Sequence, residues 1–390
     1  MYAERIANLK SSAIRDILKH MSRPGMIAFA GGSPAPELFP VAEIAVACEQ
    51  VLSKYGPTAL QYSITEGLVV LREKLVNKLA IDGLVMSTDN VIITQGSQQA
   101  LDLIAKLFID KDSLIFTENP SYLGALQAFR MFQARINAIP SDSRGIDVEA
   151  LRKQLRVERP KFLYTMPNFQ NPTGVTYSLE RRKALVAAAL EHDLLIVEDD
   201  PYGELIFEGE RLPSLFTLAK GKNVIYLSSF SKTIAPGFRV AYTAGDAEML
   251  KKMVIAKQGS DLQTNTFGQY IVNEYLESGH YQTSIDVIRD TYRGRRDAMI
   301  AAMEQEFPSA LAWNRPSGGM FLWVTLPTHW DAKEILERCL EQNVAFVPGQ
   351  EFFPDGSGRN TLRMNFSSPS LENIREGVKR MGKVLKEIRD

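Results

Sequence analysis

The sequence predicts an α/β protein with a large, mostly parallel sheet covered by helices, together with a smaller α+β domain. Strand-like and helix-like segments alternate between residues 91 and 230, and the strand-like segments are apolar on both faces. Strands of this kind are typical of a parallel sheet that is covered on both sides. Beyond residue 246 the pattern becomes mainly helical, and three more strand-like segments follow in the tail.

The predicted elements begin with an amphipathic helix, Ser11 to Met21, and an extended loop rich in glycine and proline, Arg23 to Pro40. Helical periodicity returns at Val41, stops at 57–61 and resumes over 65–80. The strands predicted for the larger sheet are 91–94, 113–118, 135–140, 161–165, 194–199 and 223–230. The helices predicted between them are 97–109, 122–131, 147–158 and 178–192. The tail is predicted to form strands at 320–326, 344–348 and 361–366, and a closing helix over 370–390.

This order of elements suggests a division into domains. Residues 41–290 are expected to form the large domain and residues 291–390 the small one. Residues 1–40 are expected to supply a helix and a substrate-covering loop that pack with the small domain.

Composition narrows the class of protein. The 390 residues include 45 basic and 46 acidic ones, so no net charge favours nucleic acid or an anionic membrane. The charged N-terminus does not resemble a signal peptide, and no stretch of about 20 apolar residues exists, so a cytoplasmic protein is expected. Two distant cysteines and four scattered histidines predict neither a disulfide framework nor a metal site.

Polar residues follow the predicted strands at their carboxyl ends, where open α/β sheets collect ligands. Ser97 and Gln98 open a helix after the first strand, and a helix N-terminus can bind an anion. Tyr122 starts the next helix and could lie flat on an aromatic ligand. Asn171, in the turn Asn-Pro-Thr-Gly, could donate an amide hydrogen bond.

Two further groups follow the next pair of strands. Asp199 ends a buried strand, where a carboxylate is costly unless it has a partner such as a protonated ring nitrogen. Ser229, Ser231, Lys232 and Arg239 lie within eleven positions and suit a phosphate held beside a reactive amine. Each group alone has an ordinary interpretation as a helix cap, a turn or a solvated loop. All five in succession at strand ends are hard to attribute to loop composition.

At these residues the sequence resembles the class I aminotransferases of fold type I, whose large domain has a seven-stranded sheet, and the resemblance covers nearly the whole chain. Its strongest parts are the turn at 171–174, Asp199 with Tyr202, the run Ser229 to Lys232 with Arg239, and Arg363 in Leu-Arg-Met-Asn-Phe. The resemblance implies pyridoxal 5′-phosphate as the cofactor and a transaminase as the activity.

The resemblance also implies a role for each position. Lys232 would form an imine with the cofactor aldehyde and act as general base and acid, and Asp199 would keep the pyridine nitrogen protonated. Arg363 would bind the substrate α-carboxylate as a bidentate fork. The other cofactor contacts would be Tyr122 on the ring face, Asn171 and Tyr202 at the phenolic oxygen, and Ser97, Gln98, Ser229, Ser231 and Arg239 at the phosphate.

Tyr62 resembles the tyrosine with which this family reaches the phosphate of the neighbouring subunit. The resemblance therefore implies a homodimer with shared active sites. The alternative interpretation of Tyr62 is a packed aromatic residue in a loop.

The N-terminal stretch to Pro40 resembles the 2-aminoadipate and kynurenine aminotransferase branch, in which this segment covers the substrate. The resemblance implies that Arg23 meets a side-chain carboxylate and that Gly32 lies at the substrate. Arg23 could equally be a surface arginine that ends a helix. Candidate donors are thus 2-aminoadipate, glutamate, leucine and aromatic amino acids, with 2-oxoglutarate as the acceptor.

Two other functions share these motifs. Carbon–sulfur lyases and aminocyclopropane carboxylate synthases have the same cofactor residues. Some transcription regulators carry an aminotransferase-like domain behind a winged helix, but here the pattern begins near residue 10 and the net charge is −1, so we do not expect DNA binding.

Overall fold

The computed structural model describes residues 2–7, 23–80 and 84–388, so the helix predicted at Ser11 to Met21 lies outside the described residues. The helices are α1 (Glu4–Ala7), α2 (Val41–Ala59), α3 (Val69–Leu79), α4 (Ser97–Phe108), α5 (Leu123–Met131), α6 (Val148–Leu155), α7 (Leu179–Glu191), α8 (Leu215–Leu218), α9 (Ala247–Gln258), α10 (Thr266–Glu277), α11 (His280–Glu306), α12 (Ala332–Glu341) and α13 (Leu371–Lys386). Short 3-10 helices include Phe230–Lys232 and Pro236–Phe238.

The strands are β1 (Ile27–Ala28), β2 (Val91–Gln95), β3 (Leu114–Asn119), β4 (Arg135–Asp142), β5 (Gly145–Ile146), β6 (Leu163–Thr165), β7 (Ile196–Asp199), β8 (Val224–Ser229), β9 (Val240–Ala244), β10 (Ala312–Trp313), β11 (Phe321–Thr325), β12 (Val344–Ala345), β13 (Val347–Pro348) and β14 (Thr361–Asn365). Each strand predicted from the sequence has a counterpart here. Helix α2 contains a kink at Gly56, which accounts for the interruption predicted at 57–61.

The larger sheet has the order β2-β9-β8-β7-β6-β3-β4-β5. Strands β8, β7, β6, β3 and β4 run parallel, whereas β9 is antiparallel to both of its neighbours. The prediction of a mostly parallel sheet flanked by helices is confirmed. Strand β9 is absent from the sequence-based prediction, because only short 3-10 helices, and no α-helix, separate its five residues from β8.

The tail forms a four-stranded sheet in the order β10-β11-β14-β13. The N-terminal segment joins this part of the molecule, because β1 pairs with β12 through Ile27 and Val344. Helix α11 is continuous across position 290, so the proposed division at 290/291 falls inside a helix and the domain bounds stay a proposal. No helix among the described residues is both long and apolar enough to span a membrane.

The parallel strands place the polar groups together. Each of the central strands β6 and β7 is buried along its whole length, which suits strands covered by helices on both faces. Because the carboxyl ends of parallel strands meet at one edge of the sheet, the segments after β3, β6, β7 and β8 converge there.

Candidate active site

A cavity of about 300 Å³ lies at this edge of the sheet. Almost every predicted site residue lines it, and the exceptions are Tyr62 and Arg23. The lining consists of Gly32, Ser97, Gln98, Tyr122, Met166, Asn171, Asp199, Pro201, Tyr202, Ser229, Ser231, Lys232, Pro236, Arg239 and Arg363. Sequence reasoning missed Met166, Pro201 and Pro236, which contribute apolar surface and carry no motif of their own.

Lys232 places its amine in the cavity from the 3-10 helix that follows β8. Its Nζ donates a hydrogen bond of 2.7 Å to the carbonyl oxygen of Gly32. Burial, together with the positive charges of Arg239 and Arg363, lowers the pKa of Lys232 to about 8. At pH 7 about a tenth of this amine is therefore neutral, far more than for an ordinary lysine, and a neutral amine can act as nucleophile or base.

Asp199 reaches the cavity from the carboxyl end of β7, and its side chain is only 2% exposed. The hydroxyl of Tyr164 donates a hydrogen bond of 2.8 Å to Oδ2, whereas the buried Oδ1 has no partner among the described residues. Burial raises the pKa of Asp199 to about 7, although the Tyr164 hydrogen bond opposes this shift. A cationic or N–H partner facing Oδ1 would remove the desolvation cost.

The N-terminus of α4 and Arg239 form one side of the cavity. Gly96 caps the helix with a φ of 76°, and a Cβ at this position would overlap the Arg239 guanidinium. Ser97, the first residue of α4, has a buried hydroxyl without a partner among the described residues. Ser231 donates its N–H to Ser229 Oγ over 3.0 Å. Free N–H groups, hydroxyls and a guanidinium together suit a phosphate.

Arg363 enters the cavity from β14 and is 3% exposed. Its Nη1 donates to Asn171 Oδ1 and its Nη2 to the Ala30 carbonyl, both over 2.7 Å. The guanidinium also lies 4.3 Å from the Phe321 ring centroid. Burial lowers the pKa of Arg363 to about 10. Nε has no partner and no ion pair joins Arg363 to a carboxylate within the described ranges, so the site suits an external carboxylate.

A buried carboxylate, that of Glu118, forms hydrogen bonds with the segment that leads into the Asn171 turn. Glu118, at the end of β3, accepts hydrogen bonds from the Met166 N–H, from Gln170 Nε2 over 2.9 Å and from the Tyr177 hydroxyl over 2.7 Å. Burial raises the pKa of Glu118 to about 7. The sequence indicates Glu118 only as a strand residue, because its partners are 48 to 59 positions away.

Two tyrosines border the cavity near Asp199. Tyr122 caps α5, and a Cβ on Gly124 would overlap its ring, so the ring lies directly over the first turn of this helix. Tyr202 is buried and packs edge-on against Phe321, with ring centroids 5.8 Å apart. Burial raises the pKa of both tyrosines, so each hydroxyl stays protonated and can donate.

Two predicted residues do not line the cavity. Tyr62 is 80% exposed, in the segment between α2 and α3. Arg23 is also exposed, at the start of the described segment 23–80. Across the described residues there is no group of three or more His, Cys, Asp or Glu side chains that could hold a metal ion.

Comparison with known proteins identifies the chain. The family model for class I and II aminotransferases matches residues 10–381. The chain belongs to this family. This aminotransferase is 45% identical over 388 residues to the 2-aminoadipate transaminase of Thermus thermophilus, with 99% of this chain and 96% of the relative covered.

Solved structures give the same assignment. A crystal structure of the α-aminoadipate aminotransferase of Thermus thermophilus, complexed with N-(5′-phosphopyridoxyl)-L-leucine, is 44% identical with a TM-score of 0.93, covering 99% of this aminotransferase and 97% of that chain. The Pyrococcus horikoshii kynurenine aminotransferase is 41% identical with a TM-score of 0.95 and the same coverage. The predicted fold type, branch and transaminase class are thereby confirmed.

Class I aminotransferases depend on pyridoxal phosphate, and the cavity fits this cofactor. The partnerless Oδ1 of Asp199 suits a protonated pyridine nitrogen. The absence of a side chain at Gly96 leaves room for Arg239 beside the N-terminus of α4, where a phosphate would lie. Lys232 supplies an amine to the same cavity.

Proposed function

We propose that this aminotransferase moves the amino group of an α-amino acid to 2-oxoglutarate, and that the first product leaves before the acceptor binds. The observation that carries this proposal is the buried Arg363, which has no carboxylate partner among the described residues and shares the cavity with Lys232. Donor and acceptor both carry a carboxylate beside the reacting carbon, so one arginine can serve both in turn.

We propose these roles for the residues of the chain. Bound pyridoxal phosphate supplies an aldehyde for the amino group and an electron-accepting ring. Lys232 Nζ removes the proton from the substrate α-carbon and later returns a proton. Asp199 Oδ1 holds the ring nitrogen, and Arg363 orients the substrate by its carboxylate. The remaining contacts are Tyr122 on the ring face, Asn171 and Tyr202 at the phenolic oxygen, and Ser97, Gln98, Ser229, Ser231 and Arg239 at the phosphate.

The substrate side chain is proposed to lie beneath the loop that contains Gly32 and near Arg23. The 2-aminoadipate and kynurenine aminotransferases among the relatives support dicarboxylic and aromatic donors, and leucine also remains a candidate donor. Arg23 is proposed to pair with the side-chain carboxylate of dicarboxylic donors. Replacing Arg23 with alanine should lower kcat/KM for 2-aminoadipate about tenfold and leave kcat/KM for leucine unchanged. An equal effect on the two donors would remove Arg23 from substrate selection.

A homodimer is proposed from the exposed apolar surface around Tyr62. Several apolar side chains in the segment between α2 and α3 and at its edges are at least 42% exposed, namely Leu60, Ile64, Val69 and Val70. Burying such a surface against a second copy would stabilise the assembly.

The test of the proposed reaction is a panel of amino donors with and without 2-oxoglutarate. Sustained formation of the donor's 2-oxo acid should require the acceptor, and parallel lines should appear in double-reciprocal plots. Replacing Lys232 with alanine should abolish turnover. Continued product formation without an acceptor, with release of ammonia or a sulfur leaving group, would instead identify a lyase.

A further inference from the structure

Two consecutive carboxylates at the end of β7 each accept a hydrogen bond from a tyrosine on a neighbouring strand. The Tyr164 hydroxyl donates to Asp199 Oδ2 over 2.8 Å, and the Tyr226 hydroxyl donates to Asp200 Oδ2 over 2.9 Å. All four side chains are at most 3% exposed. In each carboxylate, Oδ1 has no partner among the described residues.

The register of the sheet explains this pairing. Tyr164 on β6 lies opposite Val197, so its side chain shares a face of the sheet with Asp199, two residues further along. Tyr226 on β8 lies opposite Glu198 and therefore shares the other face with Asp200. A tyrosine is long enough to reach this diagonal neighbour across the strands.

The two pairs differ in what their free oxygen faces. Asp199 lines the cavity of about 300 Å³, whereas Asp200 lines a void of about 10 Å³ on the other face of the sheet. Tyr164 packs edge-on against Phe129, with ring centroids 5.7 Å apart, so its own position is fixed by the core. The Asp200 pair thus repeats the geometry of the Asp199 pair away from the active site.

Tyr164 can act only as a donor towards Asp199. Burial and the nearby Asp199 carboxylate raise the pKa of Tyr164 well above its usual value, so the hydroxyl stays neutral. A hydrogen bond donated to a carboxylate favours its ionised form and fixes its rotation. With Oδ2 held by Tyr164, Oδ1 is the oxygen directed at a ligand.

We propose that Tyr164 is a positioning residue, which holds Asp199 ionised and turned so that Oδ1 faces the cofactor ring nitrogen. This inference rests on the proposed role of Asp199. Replacing Tyr164 with phenylalanine removes one hydroxyl and leaves the packing against Phe129. The variant Y164F should hold the protonated ring more weakly, because Asp199 is then more readily neutralised and free to rotate.

The experiment measures the dissociation constant of pyridoxamine phosphate with cofactor-free protein, and the thermal midpoint of the same samples. Pyridoxamine phosphate has no aldehyde and cannot react with Lys232. Its dissociation constant therefore measures only the non-covalent binding of the ring and the phosphate. Y164F should weaken binding about ten- to hundredfold, the usual loss for a hydrogen bond to a charged group. The matched variant Y226F, which removes the same hydroxyl from the Asp200 pair, should lower the thermal midpoint similarly and change affinity by less than about threefold.

Two results would overturn the inference: binding by Y164F within about threefold of wild type, or an equal loss in Y226F. If Y164F is too unstable to purify, Y164M, which also lacks the hydroxyl and can fill the space of the ring, takes its place. The same substitution is also made in D199N, and this double variant is compared with D199N. Equal affinities of D199N and the double variant for pyridoxamine phosphate support the inference. In these proteins no carboxylate remains for Tyr164 to hold, so a further tenfold or larger loss in the double variant contradicts it. Failure of the wild-type protein itself to bind pyridoxamine phosphate would instead contradict the proposed function.

Discussion

Arg363 Nη1 lies 2.7 Å from Asn171 Oδ1, so a residue of the tail sheet and a residue of the Asn-Pro-Thr-Gly turn are joined across the cavity. Because the side-chain oxygen of Asn171 accepts this bond, its amide nitrogen is the donor, with one N–H available to Tyr202 and the other to a ligand. The same contact orients the guanidinium, which also donates to the Ala30 carbonyl. The predicted contact with a substrate carboxylate and the predicted contact with a cofactor oxygen therefore depend on each other.

Replacing Arg363 with lysine should lower kcat/KM about 10- to 100-fold, for every amino donor and also for the oxo-acid acceptor. Lysine keeps the positive charge but cannot bind both carboxylate oxygens as the planar guanidinium does. Steady-state kinetics on both half-reactions would measure the effect. Affinity for the cofactor should fall by a smaller factor, because the substitution reaches the cofactor only through the orientation of Asn171.

Arg296 provides the matched control for this substitution. It is also buried beneath an aromatic ring, 5.5 Å from the Phe207 centroid, but it pairs with Glu208 and Asp297 and does not line the cavity. R296K should lower thermal stability without changing kcat/KM. A similar loss of kcat/KM in the two variants would contradict a specific role for Arg363.

Replacing Gly96 with alanine should weaken cofactor binding by displacing Arg239. A Cβ at Gly96 would overlap the guanidinium, in addition to the strain of a φ of 76°. Gly209 has a φ of 83°, and a Cβ at this position would meet no atom within 4 Å, so G209A carries the backbone strain alone. Titration of cofactor-free protein with pyridoxamine phosphate should show about a tenfold or larger loss for G96A and almost none for G209A. Equal affinities in the two variants would exclude the steric explanation.

The sequence could predict most of the site because most of the cavity residues belong to short motifs at the carboxyl ends of strands. Asn171, Asp199 and Lys232 are of this kind, and the parallel sheet brings their motifs together. Tyr164 could not be predicted in the same way. Its partner depends on the register between β6 and β7, which the sequence does not reveal.

Strand β9 and the roles of Tyr62 and Arg23 depend on contacts with other parts of the chain or with another copy, which the sequence of one segment does not indicate. Strand β9 runs antiparallel between β2 and β8. Its five residues form a strand because they pair with both of these neighbours, and the sequence of the segment alone does not indicate this pairing. Tyr62 and Arg23 carry a family resemblance but lie outside the cavity of the single chain. Their roles therefore stay predictions.

The affinity of cofactor-free protein for pyridoxamine phosphate should rise as the pH increases from about 5 to 7.5. Burial raises the pKa of Asp199 to about 7, so below this value the carboxyl must lose a proton before it can pair with a protonated ring. This loss costs at most about 1.4 kcal/mol per pH unit. The ligand phosphate also changes charge near pH 6, so the informative quantity is the difference between wild type and D199N. Identical pH profiles for the two proteins would contradict the role of Asp199.

Complementation between inactive subunits should decide how Tyr62 acts. If Tyr62 completes the site of the neighbouring subunit, both K232A and Y62A homodimers have two defective sites. A mixed dimer then has one intact site, with Lys232 from one chain and Tyr62 from the other. Unfolding and refolding an equimolar mixture should restore about a quarter of the wild-type activity, because half of the dimers are mixed.

The exposure of Tyr62 in the single chain is the physical basis of this prediction. Its side chain is 80% exposed and absent from the cavity formed by its own chain, so any contact with the phosphate has to be made in another copy. The control mixes K232A with D199N, two lesions in the same chain's cavity, and should restore nothing. If the K232A and Y62A mixture also stays inactive while size-exclusion chromatography shows mixed dimers, Tyr62 does not act across the interface.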